Sequence, residues 1–135
     1  MKSVTIISDD RVGLLADISY ILGKSGVNID GLFVDVVGGK AVISIEVKDP
    51  KKASTILEGN GFSLAHPEAI VVKVSGDSME KLTEMLEIED ITVTELSMLS
   101  ADKEDGVFAI QVDKPRKAYK MLSPFLLGHN GNQYY

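Results

Sequence analysis

The chain has 135 residues, 44% of them hydrophobic and 25% charged, with a formal net charge of −6 and no cysteine. This is a globular composition that excludes disulfides, thiolate metal sites and cysteine nucleophiles, and it lacks the basic footprint that a phosphate backbone demands, so no nucleic-acid partner is expected. The length fits one ordinary domain or two very small ones, and units of under about seventy residues bury so little surface that a shared core or a homodimer is expected.

The first eight residues, Met1 to Ser8, run at once into polar Asp9-Asp10-Arg11, too soon for a signal peptide, and nowhere do about eighteen apolar residues follow one another. A cytoplasmic location without membrane association is expected, and the absence of cysteine suits a reducing compartment.

Lys2 to Ser8 reads as a buried strand that meets a turn at Asp9-Asp10-Arg11 and Gly13. Leu14, Leu15, Ile18, Ile21 and Leu22 then form one helical stripe, which Gly26 ends in a left-handed conformation. From Asn28 to Val37, Leu32, Val34 and Val36 alternate with Phe33, Asp35 and Val37, and Gly38-Gly39 supplies a tight hairpin. Ala41, Ile43, Ile45 and Val47 mark the apolar face of the return strand. Asp49 and Pro50 start a second helix as N-cap and first residue; Ala53, Ile56 and Leu57 face inward, and Gly59-Asn60-Gly61 stops it. Phe62 to Ala65 is a short last strand before His66-Pro67.

The order strand, helix, strand, strand, helix, strand is one ferredoxin-like βαββαβ unit of the α+β class with an antiparallel sheet. Its helices are expected on one sheet face, leaving the other, with Thr5, Ile7, Phe33 and Val42, partly apolar and available to a partner, to be covered by a second sheet-bearing unit that the rest of the chain supplies. The rest of the chain repeats the order: a strand at Ala69 to Val74, a helix spaced by Met79, Leu82 and Leu86, and a strand at Ile91 to Leu99. Laying Ile43–Leu57 on Phe108–Leu122 pairs Ile45 with Ile110, Val47 with Val112, Pro50 with Pro115, Lys52 with Lys117, Ala53 with Ala118 and Leu57 with Leu122. Two tandem ferredoxin-like domains are expected, residues 1–67 and 68–135. The second is degenerate. Ser75-Gly76-Asp77-Ser78 is a shorter turn, and the tail Gly128 to Tyr135 shows no evident strand, so the last strand is expected to be missing, frayed or supplied by another chain.

Asp10-Arg11-Val12-Gly13-Leu14-Leu15-Ala16-Asp17-Ile18, followed by Gly26-Val27-Asn28-Ile29, resembles the ACT family of regulatory domains. The resemblance covers residues 2 to 66 well and residues 69 to 127 mainly through element order. Val12 stands where the family often has proline, and Asp10 where some binders have asparagine. In amino-acid-binding members the ligand lies between two ACT units, so the resemblance implies a site at Ser8, Asp10, Val12, Gly13, Leu14, Asn28 and Ile29. The chemistry of the motif is compatible with that. Gly13 permits a close backbone approach and opens a helix whose free amides favour a carboxylate. Asp10 offers a charge to an ammonium group, and Asn28, beside that turn or from a partner subunit, offers donor and acceptor. The same residues also admit a plain reading, with Asp10 and Gly13 as turn and cap, and Asn28 as a strand start bonding its own backbone.

No catalytic residue, metal or cofactor is expected. Gly23-Lys24-Ser25 ends a helix where a phosphate loop would begin one. His66 before Pro67 reads as a strand-end residue and His129 as part of a polar tail, while Asp9-Asp10 and Glu87–Asp90 lack the ligand spacing of a calcium loop. The expected function is regulatory binding of a small molecule, an amino acid, with a sensing or allosteric role in amino-acid metabolism exerted on a partner enzyme or regulator. The alternative is a ligand-free interaction and dimerisation module.

Overall fold

In the computed structural model, which describes residues 2–75 and 77–127, the chain divides between Ala65 and His66 into two units. The first comprises β1 (Lys2–Asp9), α1 (Leu14–Lys24), β2 (Gly31–Val37), β3 (Lys40–Val47), α2 (Pro50–Gly59) and β4 (Ser63–Leu64). The sheet is antiparallel in the order β2-β3-β1-β4, with Asp9 opposite Lys40 at one end of the β1–β3 ladder and Lys2 opposite Val47 at the other. Alternation on β3 sends Ala41, Ile43, Ile45 and Val47 to one face, where they close against Ile18 and Leu22 of α1 and Ala53 and Leu57 of α2. Gly38 and Gly39 take φ of 60° and 77° between β2 and β3, the paired positive angles of a two-residue hairpin.

Three helices end by one device. Gly26, Gly61 and Asp90 adopt positive φ, and the next amide, of Val27, Phe62 or Ile91, donates back to the carbonyl of Leu22, Leu57 or Leu86. This is the six-to-one bond of a Schellman cap, with its apolar residue folded onto the helix. It explains two departures from the sequence reading. The second strand starts at Gly31, three residues later than expected, because residues 27–30 cap α1 and carry the chain to the sheet edge, where the Asp30 amide reaches the Glu46 carbonyl at 2.8 Å. Ile91 likewise belongs to a cap and to the core, and its strand starts at Val93. The start of α2 matches its expected chemistry: the Asp49 carboxylate accepts the Lys52 amide at 3.1 Å, with Pro50 in the first turn. Asp49→Ala is expected to cost about 1 kcal/mol, as N-cap truncations do, read as a lower midpoint in urea.

On the sheet face away from the helices, Thr5, Ile7 and Phe33 are half-buried. Val42 is fully buried, and Asp35 and Val37 on the same face are buried too. The burial of Val42 agrees with the expectation that this face is covered. The centre of that face is closed to solvent.

The second unit repeats the plan with β5 (Ile70–Ser75), α3 (Ser78–Ile88), β6 (Val93–Ala101), β7 (Asp105–Val112) and α4 (Pro115–Met121), the sheet order being β5-β7-β6. Its core gathers Val72, Ile110, Leu82, Leu86, Ala118 and Leu122. After α4 comes a single 3-10 turn, Ser123–Phe125, and then one antiparallel bridge, Leu126 with Val72. That bridge is all that the described residues offer of a last strand; the tail Gly128 to Tyr135, with His129, lies outside them. Asp90 takes φ 60° without being glycine, and Lys114 holds it, donating to its carbonyl and, at 3.0 Å, to its carboxylate. Asp90→Ala is therefore expected to lower the thermal midpoint more than Asp90→Gly, since alanine loses the ion pair and keeps the left-handed strain, whereas glycine loses only the pair.

Candidate functional site

β1 carries Ser8 and Asp9 to the end of the sheet, and the chain leaves through Asp10–Gly13 to enter α1 at Leu14. Gly13 stands at the N-cap with φ 82° and ψ 2°, a conformation that a side chain disfavours, and no side chain caps the helix. The Asp17 amide donates to the Gly13 carbonyl at 2.9 Å and the Leu14 amide to the Arg11 carbonyl at 3.3 Å. Between them, the amides of Leu15 and Ala16 are the open donors of the first turn, the part of a helix that attracts an anionic group.

The charges of the turn are unequally balanced. Lys40 pairs with Asp9, and Arg11 pairs with Asp17 at 2.8 Å. Hydrogen bonding from Lys40, then its charge, holds the Asp9 carboxyl below its ordinary 3.8. Among the described residues Asp10 has no ion pair, so its exposed carboxylate is the turn's uncompensated charge. Val12 beside it is 99% exposed, an apolar side chain with no packing of its own. Sequence reasoning passed over Arg11, Asp17 and Lys40. The hairpin at Gly38-Gly39 sets Lys40 opposite Val37 of β2, and its place opposite Asp9 follows only from the pairing of β3 with β1.

The seven residues implied by the resemblance do not form one cluster. Ser8, Asp10, Val12, Gly13 and Leu14 lie together at the β1–α1 turn, where the Ser8 hydroxyl donates to the Asp9 carbonyl at 3.2 Å and Leu14 is a core residue. Asn28 is exposed and Ile29 packs on the core, both in the loop after α1. That loop leads into Gly31 opposite Glu46, whereas the turn follows Asp9 opposite Lys40, at the other end of the sheet. The eleven residues of α1 separate them by about 16 Å. Of the two placements expected for Asn28, beside the turn or from a partner subunit, the first does not occur within this unit.

The equivalent turn of the second unit is shorter. Only two residues separate Ser75 from Ser78, against the four that separate Asp9 from Leu14. His66 serves a local turn, its Nδ1 accepting the Glu68 amide at 3.1 Å. In the acidic run ending α3, Glu89 faces Lys117 at 3.6 Å and Asp90 faces Lys114, whose hydrogen bond lowers the Asp90 pKa. No helix among the described residues is long and apolar enough to cross a membrane.

The two sheets with their helices define a pair of α+β units of ferredoxin-like plan, the first with a long glycine-opened turn at its strand ends. Residues 2–58 match the family model of the ACT domain. A crystal structure of a protein from Bacteroides thetaiotaomicron shares the fold, covering 90% of this chain and 85% of its own at 19% identity and a TM-score of 0.50. Similarity also extends to a protein of unknown role from Galdieria sulphuraria, over 90% of this chain and 86% of that one, at 21% identity and a TM-score of 0.44. The regulatory subunit of aspartate kinase from Thermus thermophilus is similar over 89% of each chain, at 15% identity and a TM-score of 0.44. No curated protein sequence matches the chain.

Proposed function

We propose that this chain is a regulatory small-molecule-binding protein: a cytoplasmic homodimer that senses an amino acid through the β1–α1 turn of domain 1–67. Occupancy is passed to a partner enzyme or regulator of amino-acid metabolism by differential affinity for two states. Domain 68–135, with its shortened turn, is the ligand-free companion. The observation that carries this reading is the pairing, within the ACT segment, of a free carboxylate at Asp10 with the open amides that follow Gly13. Those groups answer the ammonium and the carboxylate of a zwitterion, and Val12 offers apolar contact to its side chain. Asn28 and Ile29 enter from a second copy, and for that reason the dimer is part of the proposal.

The test is a thermal-shift screen of the purified chain against the twenty amino acids, since a ligand that binds the native state raises its midpoint. Asp10→Ala and Asn28→Ala should each weaken the response about ten- to hundred-fold, the worth of a charge-assisted hydrogen bond. A co-refolded mixture of the two variants should regain part of it, because each mixed dimer holds one intact site. No response to any amino acid would reject the proposal. A second reading, pairing without a ligand, is favoured by β6, an edge strand on which Leu96 and Met98 are 46% and 65% exposed. A dimer by light scattering with no thermal response would select it.

A further inference from the structure

We infer that the β2–β3 hairpin is the positioning element of the ligand turn, with Lys40 acting through Asp9 and Gly39 through its carbonyl to hold Asp10–Gly13 in its binding posture. This rests on the reading of that turn as the ligand site. The turn has little else to hold it. Arg11, Val12 and Gly13 are exposed, no side chain caps α1, and no atom lies within 4 Å of where a Cβ on Gly13 would stand. The Leu14 amide to the Arg11 carbonyl and the Arg11–Asp17 ion pair lie inside the β1–α1 segment and move with it. Among the described residues, beyond the β1 ladders and the packing of Leu14, two hydrogen bonds tie Asp9 and Asp10 to another segment, and both end on the hairpin: the Asp10 amide donates to the Gly39 carbonyl at 3.1 Å, and Lys40 donates to the Asp9 carboxylate.

The hairpin is suited to be the fixed side. Gly38 and Gly39 occupy the two positive-φ positions of a two-residue connection, and β3 below them is an inner strand with full ladders to β1 and β2. The lowered pKa of Asp9 agrees with a carboxylate held by its lysine. The second unit supplies an internal comparison. There Ser75 stands opposite Asp105 at the matching ladder end, a pair that cannot form an ion bridge, and the β6–β7 connection is organised by the Asp102 carboxylate accepting the amides of Glu104 and Asp105 at 2.8 and 2.7 Å. The long turn and the lysine–aspartate pair at the ladder end occur together in the first unit, and among the described residues the ladder end of the second has no such ion pair.

The experiment uses the full chain and two variants, Lys40→Ala and Lys40→Arg, with residue-resolved amide exchange of the ligand-free protein. Lys40→Ala is expected to speed exchange of the Asp10 amide about three- to five-fold, the scale of an exposed ion pair, while Val4 and Ile6 inside β1 keep their rates and Lys40→Arg restores Asp10. An unchanged Asp10 rate, or an increase spread evenly over β1, would overturn the inference. The same variants then enter the screen of twenty amino acids. A responding amino acid should need about three- to five-fold more to produce its shift in Lys40→Ala and the normal amount in Lys40→Arg; an unaltered requirement counts against the clasp. If the unmutated chain responds to none, the ligand reading fails by itself and the Asp10 exchange rate still decides the clasp.

Discussion

Gly13→Val is expected to weaken the amino-acid response, by up to about a hundred-fold, whereas Gly13→Asn is expected to keep most of it. Gly13 holds φ 82° with nothing within 4 Å of a built Cβ, so the penalty comes from the backbone alone and not from a clash. A β-branched residue in the left-handed region costs about 1–3 kcal/mol, and asparagine tolerates that region far better. The valine variant has two ways to respond. It keeps the turn and loses that much stability with its affinity unchanged, or it relaxes φ and swings the Leu15 and Ala16 amides away from an incoming carboxylate; the second response, expected here, weakens binding. Calorimetric titration of the two variants separates them, and equal affinity for valine and asparagine would show that the left-handed cap does not shape the site.

Leu57→Ala should produce the largest loss of stability, about 2–5 kcal/mol, because a fully buried leucine forfeits both its transfer free energy and the contacts around the cavity it leaves. Leu57 also has a second part in the fold: its carbonyl accepts the Phe62 amide at 3.1 Å in the cap of α2. That backbone bond survives the truncation, so the loss reports packing. Leu96→Ala is the contrast, since Leu96 is already 46% exposed on an edge strand and should cost well under half as much. Urea unfolding midpoints for the two, at equal m-values, test the difference.

Much of this fold was legible because its signals are local. The stripe Leu14, Ile18, Leu22 needs only the helical period, and all three are buried. The Gly38-Gly39 hairpin and the Asp49-Pro50 helix start each follow from what two adjacent residues do to the backbone, and both formed as expected. Strand starts were less legible, since Asn28 and Ile91 look like strand residues until the helix cap before them claims the same stretch of chain. The separation of Asn28 from Asp10 was legible in principle, because any helix of eleven residues keeps its two ends about 16 Å apart; a motif read as a string of letters conceals that distance.

The sequence by itself determined the order of elements, the antiparallel hairpins, the repeat and the glycine turn, because periodicity, capping and positive φ are properties of a few neighbouring residues. Only the tertiary structure decided which charges are paired. Lys40 meets Asp9 across 31 residues and Lys114 meets Asp90 across 24, and such contacts exist only once chain reversals and strand register have been set. In the same way it decided that Val42 is buried, that the described residues after α4 add one bridge at Leu126 to the second sheet, and that Asp10 is the carboxylate left open at the turn. A side chain's partner is chosen by the sheet that brings the two together, and the residues on either side of it in sequence do not encode that choice.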